Sequence, residues 1–112
     1  MNAKLIYMTA PSREEAERIA EAAVTERLAA CANILDGVTS LFHWEGKLCR
    51  ETEAVLILKT TEEKTDALTV RIKELHSYEC PCIVVLPIEN GNPAFLEWVE
   101  GEICARSKNI TG

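Results

Sequence analysis

The chain has 112 residues, of which 47% are hydrophobic and 27% are charged. This length suits one domain, residues 1–112, that can bury its own core, and the composition excludes a disordered chain. The net charge is −6 and the basic residues are scattered singly, which disfavours binding to nucleic acid or to an anionic membrane.

The five cysteines also bear on the class of protein. An odd number, in a domain large enough to fold without disulfides, predicts mostly reduced thiols and therefore a cytoplasmic protein. No apolar run approaches the roughly 18 residues of a membrane span. The N-terminus enters a strand-like pattern directly, which is unlike a signal peptide.

The first half of the chain predicts a strand, a helix and a long hairpin. Residues 4–9 are strand-like, and Ser12 with Glu15 forms a capping box before a helical stripe of apolar residues. Residues 31–44 and 47–60 are two extended segments joined at Glu45-Gly46, with a bulge expected at Asp36-Gly37. These strands are longer than the others, so the hairpin tip should project beyond the sheet.

The second half repeats the strand and helix pattern. Thr60 and Glu63 form a second capping box, before a stripe made by Leu68, Ile72 and Leu75. The segment CIVVLPI is a fourth strand, and Asn92-Pro93 begins a short third helix. The order βαββαβ with a direct central hairpin predicts an α+β, ferredoxin-like sandwich with a C-terminal helix.

The hairpin tip carries Leu41, Phe42 and Trp44, although tips are normally polar. A projecting apolar ribbon needs a cover, and a neighbouring copy of the chain is the economical one. We therefore predict that these three residues form a subunit interface. The alternative is that Trp44 folds back over its own chain.

Several segments together resemble the CutA family of divalent-cation-tolerance proteins: MTAPS, RLAACANI, SLFHWEGKL, LILKT, HSYECP, LPIENG and FLEW. They occur in the family's order across residues 7–98. The resemblance implies a homotrimer of ferredoxin-like subunits, similar in shape to PII signalling proteins, with a role in tolerance of copper or other divalent metals. For animal members it also implies association with acetylcholinesterase anchoring, so a protein partner is conceivable.

The family's metal ligands match this chain only in part. Some bacterial members have Cys where this chain has Met8, and a His-His pair where it has Leu75-His76. The resemblance therefore implies a weak copper site at His76 with Met8, and Cys31 is a further soft candidate. Alternatively, His76 caps a helix and Cys31 is a small buried hydrophobe.

Other chemistry is weakly indicated. The family's Pro-Glu is here Pro81-Cys82, so Cys80 and Cys82 form a CxC pair that lacks the CxxC redox spacing. Glu51 and Glu53 share a strand face with Lys59, which favours a solvated edge. No nucleophile, base and acid set is evident, so we expect a non-catalytic cation-binding protein. A PII-like small-molecule sensor and a protein-interaction module remain as alternatives.

Overall fold

Four strands form one antiparallel sheet in a computed structural model that describes residues 2–111, and the side chains of residues 2–104. The elements are β1 (Ala3–Ala10), α1 (Arg13–Thr25), β2 (Cys31–Trp44), β3 (Lys47–Thr61), α2 (Thr65–Leu75), β4 (Ile83–Pro87) and α3 (Pro93–Thr111). The strand order is β2-β3-β1-β4. This arrangement confirms the predicted ferredoxin-like α+β fold. Each described helix is too short or too polar to cross a lipid bilayer.

One face of the sheet carries the main core. Ile6 and Met8 of β1 and Leu56 and Leu58 of β3 point to this face, and all four are fully buried. α1 and α2 cover them, and α1 contributes mainly small alanines. Small side chains allow the helix to lie close to the sheet, and the buried apolar surface stabilises this half of the molecule.

The opposite face is covered by α3 at one end only. Val99 and Ile103 are buried there with Ala30 in a second, smaller cluster. Neighbouring residues of a strand point to opposite faces of the sheet. Thr60 therefore faces the helices, where its hydroxyl donates to the carbonyl of Leu28 in the loop after α1, and Thr61 faces α3, where it lines a depression with Ile103. α3 is longer than the short helix predicted, because no proline or further glycine interrupts the sequence between Gly101 and Thr111.

The far end of the hairpin projects beyond the sheet, as predicted. β1 pairs with β3 only as far as Ala10 and Ala54, so the ribbon of residues 38–53 is paired only within itself. A bulge between Leu35 and Val38 marks where β2 leaves the sheet. The described molecule is 53 Å long and has a radius of gyration of 15.1 Å. A spherical domain of this size would have about 13 Å.

The two predicted capping boxes have different outcomes. Ser12 caps α1, because its Oγ accepts a hydrogen bond from the Glu15 amide at 3.1 Å. The Glu15 carboxylate instead accepts bonds from Ser77. The box at Thr60 and Glu63 is wrong: Thr60 still belongs to β3, and a short 3-10 turn at Glu62–Lys64 precedes α2.

Candidate functional site

An open cleft of about 1030 Å³ occupies the part of the sheet face that α3 leaves uncovered. One wall is the projecting ribbon, and the other is the segment that connects α2 to β4. The lining residues are Tyr7, Thr9, Ser40, Leu41, Phe42, Trp44, Cys49, Glu51, Glu53, Ser77, Tyr78, Glu79, Cys80 and Cys82. Among these described residues are three carboxylates and three thiols, with no lysine, arginine or histidine.

Strand alternation explains how β3 supplies three of the six carboxylates and thiols in the lining. Cys49, Glu51 and Glu53 are odd-numbered, and they face the cleft because the even-numbered residues further along β3 face the helices. The bulge then shifts the phase of β2, so that the even-numbered Phe42 pairs with Cys49 on the cleft side. One strand therefore delivers a thiol and two carboxylates to the same wall.

Glu53 and Tyr78 connect the two walls. The Tyr78 hydroxyl donates a hydrogen bond to Glu53 Oε2 at 3.0 Å, and Glu53 is only 8% exposed. Burial first, and then the hydrogen bond to Glu53 and the charge of that carboxylate, together raise the pKa of Tyr78 to about 12. The phenol therefore stays protonated and serves as a donor at neutral pH.

His76 holds the segment that connects α2 to β4, the second wall of the cleft, against β1. Its Nε2 lies 2.8 Å from the carbonyl oxygen of Thr9, and its Nδ1 accepts a hydrogen bond from the Tyr78 amide at 3.1 Å. A carbonyl can only accept and an amide can only donate, so Nε2 donates to Thr9 and Nδ1 accepts from Tyr78. Glu15 Oε2 accepts bonds from both the amide and the hydroxyl of Ser77. These bonds fix the start of the wall against β1 and α1.

The three predicted metal ligands are not brought together. His76 uses both ring nitrogens in hydrogen bonds, and Met8 is fully buried on the helix-covered face. Cys31 is half-buried and pairs with Lys59, on the opposite face of the sheet from Met8. Within residues 2–104 no three His, Cys, Asp or Glu side chains are close enough to hold one ion. The role of these residues in metal binding stays a prediction.

The predicted interface residues are exposed along the ribbon. Leu41 is 59% exposed, Phe42 40% and Trp44 65%. Trp44 therefore does not fold back over its own chain. Exposure of this kind fits a surface that another chain covers, and the interface itself stays a prediction.

Sequence reasoning was right about Glu51, which is exposed, and wrong about Glu53. Glu53 is buried and hydrogen-bonded rather than part of a solvated edge, and Lys59 lies at the other end of β3, where it donates to Asn33. Glu15 supports the cleft wall in addition to opening α1. The available signal was Glu53 itself, a carboxylate directly before the continuously apolar run of residues 54–58. Its partner, Tyr78, lies 25 positions away, so spacing gave no clue.

Comparison with known proteins places the chain in a family. The profile of the CutA1 divalent ion tolerance protein family matches residues 4–102. The divalent-cation tolerance protein CutA of Archaeoglobus fulgidus is 48% identical over 95 residues, which cover 85% of this chain and 92% of that protein. The rice protein CutA 1, described as chloroplastic, is 43% identical over 86% of this chain, which spans only 54% of the rice protein's length.

A solved structure agrees with the sequence comparison. The structure of the Archaeoglobus fulgidus protein, described as periplasmic, superposes with a TM-score of 0.87 at 46% identity. It covers 90% of this chain and 98% of that one. The compartments given for these relatives differ, so the cytoplasmic location of this chain stays a prediction. The family profile, the sequence identity and the shared fold agree, and the chain belongs to the CutA1 divalent-ion tolerance family.

Proposed function

We propose that this protein binds divalent cations, copper among them, in the cleft beside the ribbon, and that it acts in metal tolerance by binding rather than by catalysis. The observation that carries the proposal is the cleft lining, in which the side chains of residues 2–104 contribute three carboxylates and three thiols and no basic group. Carboxylates attract hard divalent cations and thiolates attract soft ones. The family description as divalent ion tolerance proteins supports the same class of ligand.

Two features of the site favour binding over catalysis. The imidazole of His76, next to the cleft residue Ser77, is buried with both nitrogens in hydrogen bonds, so it is not free to exchange protons with a substrate. Tyr78 has a raised pKa and is a poor base at neutral pH. Both groups instead hold the walls of the cleft in place.

The same charge pattern argues against the alternative of a nucleotide-sensing regulator. A phosphate-bearing ligand needs basic side chains or a helix N-terminus aimed at it. The charged side chains that line the cleft are instead carboxylates. An anionic metabolite would therefore meet electrostatic repulsion on both walls.

We also propose that the functional form is a homotrimer in which a neighbouring subunit covers the ribbon tip, residues 41–47. The support is the length of the self-paired ribbon and the exposure of Leu41 and Trp44. A two-stranded ribbon is marginally stable alone in water, so a partner surface would hold it. Native mass spectrometry of the purified protein measures the subunit number, and a monomeric mass at micromolar concentration would contradict this assembly.

The binding proposal is tested by calorimetric titration of the assembled protein with Cu(II), Zn(II) and ATP. Replacing the exposed cleft carboxylates in a Glu51→Gln, Glu79→Gln variant should weaken divalent-cation binding about tenfold, or roughly 1.4 kcal/mol. The matched control is Glu97→Gln, Glu100→Gln, which removes two exposed carboxylates from α3 outside the cleft. Equal affinities in all three proteins, or binding of ATP without any metal, would contradict the proposal.

A further inference from the structure

Two cysteines separated by one proline lie on the wall that leads into β4. Cys80 and Cys82 are both exposed, and both line the cleft. Cys80 closes a bend over residues 77–80, and Pro81 and Cys82 lie in irregular backbone before β4. Both cysteines nevertheless line the same cavity, with a single residue between them. The proline between them therefore does not separate the pair.

The distribution of thiols over the molecule is uneven. Cys49 of β3 also lines this cleft, so three of the five cysteines face one cavity. Cys31 lies at the start of β2, and Cys104 lines a separate depression beside Thr61. The cleft also contains Glu51 and Glu79, and its described lining includes no basic side chain, so its field favours a positively charged ligand.

We propose that Cys80 and Cys82 together chelate one soft monovalent metal ion, and Cu(I) is the ion with which the proposal is tested. This inference rests on the proposed function and assigns to the cleft a specific pair of ligands. Each thiol releases its proton to water and forms one metal–sulfur bond, so Cu(I) and two thiols give a dithiolate complex and two protons. The copper is bound already reduced, and no electron is transferred.

The pair suits Cu(I) better than a hard or tetrahedral ion. Thiolates are soft ligands that select Cu(I), and this ion is satisfied by two sulfur ligands. A structural zinc ion takes four ligands. The described part of the chain brings no three metal-binding side chains close enough for such a site. The cysteine pair by itself therefore suits an ion that needs only two ligands.

The test is competition for Cu(I) between the reduced, assembled protein and bathocuproine disulfonate under anaerobic conditions. The wild type should take one Cu(I) per chain from the coloured chelator complex. Cys80→Ser and Cys82→Ser should each weaken the affinity about a hundredfold or more, since even indirect ligand partners change metal affinity about 10–100-fold. The matched control, Cys104→Ser, removes an exposed thiol outside the cleft and should bind as the wild type does.

Two outcomes would overturn the inference. The first is a Cys80→Ser, Cys82→Ser double variant that keeps the wild-type stoichiometry and affinity. The second is a wild-type protein that takes up no Cu(I). In both cases a loss of Cu(II) or Zn(II) affinity in the Glu51→Gln, Glu79→Gln variant would still uphold the proposed function, so the two failures are distinguishable.

A spectroscopic measurement tests the ligands independently of affinity. X-ray absorption at the copper edge of the loaded wild type should show two sulfur neighbours, and nitrogen or oxygen neighbours would overturn the assignment. Thermal unfolding of the metal-free serine variants should match the wild type, because both side chains are exposed.

Discussion

The body of the sheet and the projecting ribbon belong to the same two strands but have different environments. In the body, Leu56 and Leu58 are fully buried under two helices. In the ribbon, Leu48 is 69% exposed and Trp44 is 65% exposed. The body is therefore stabilised within the chain, whereas the ribbon depends on its own pairing and on whatever covers it. The cleft lies where the two regions meet.

The largest expected effect comes from the body. Leu58→Ala should lower the free energy of unfolding by about 3 kcal/mol, because it leaves a cavity in a fully packed core. Leu48→Ala removes the same atoms from the exposed ribbon and should change the stability by less than about 0.5 kcal/mol. Urea unfolding of both variants measures the difference. Equal losses would mean that the two regions do not differ in packing.

The ribbon should matter for assembly more than for folding. On the trimer proposal, Trp44→Ala should weaken subunit association by about 2 kcal/mol, since large interface aromatics often contribute that much. Val70→Ala is the matched control, because Val70 is an exposed apolar residue on the outer side of α2. Sedimentation over a dilution series measures both. Unchanged association of the Trp44 variant would remove this residue from the interface.

Replacing each of two glycines by alanine should change the stability in opposite directions. Gly46 in the ribbon turn has a φ of +78°, so Gly46→Ala should destabilise the hairpin by about 1 kcal/mol. Gly101 lies within α3 with open space around it, and Gly101→Ala should raise stability by roughly 0.5–1 kcal/mol. Thermal unfolding of each variant gives the sign. A stabilising alanine at position 46 would contradict the left-handed turn.

A further effect is expected at the junction of the two regions, and it depends on pH. The folded state raises the pKa of Tyr78 from 10.0 to about 12, chiefly by burial and then by the hydrogen bond to Glu53. Between these values the unfolded chain loses its proton first, so the free energy of unfolding should fall as the pH rises. Because the side chain is 38% exposed, solvent screening limits the effect to roughly 1 kcal/mol.

The variant Tyr78→Phe should abolish this part of the alkaline loss of stability. Tyr7→Phe, which removes the chain's other tyrosine hydroxyl, is the matched control and should retain it. Urea unfolding at a series of alkaline pH values measures how steeply the free energy of unfolding falls with pH. The same slope in the wild type and in the Tyr78 variant would show that the phenol is not coupled to folding.

The sequence predicted the elements that depend on local patterns. Apolar stripes gave α1 and α2, and Glu45-Gly46 and Asp36-Gly37 gave the turn and the bulge, because each is set by neighbouring residues. The second capping box failed because tertiary pairing extended β3 through Thr61.

The site was much harder to predict than the fold. Glu53 meets Tyr78, and Glu15 meets Ser77, across 25 and 62 positions of sequence. No periodicity connects such residues, so only the fold brings them together. The family resemblance drew attention to His76, and the structure shows that both nitrogens of this imidazole are hydrogen-bonded to the backbone, at Thr9 and at Tyr78.

The bulge in β2 has a consequence for how the chain length of this hairpin can change in evolution. Before it, odd-numbered residues of β2 share the face of Leu35, and after it even-numbered residues do, as the pairing of Val38 with Glu53 requires. Loss of Gly37 would turn the bulge into a regular strand and leave Phe42 on its present side. Loss of one residue between Val38 and the turn would instead exchange the two sides of part of the ribbon. Single-residue deletions should therefore be tolerated at the bulge and selected against beyond it.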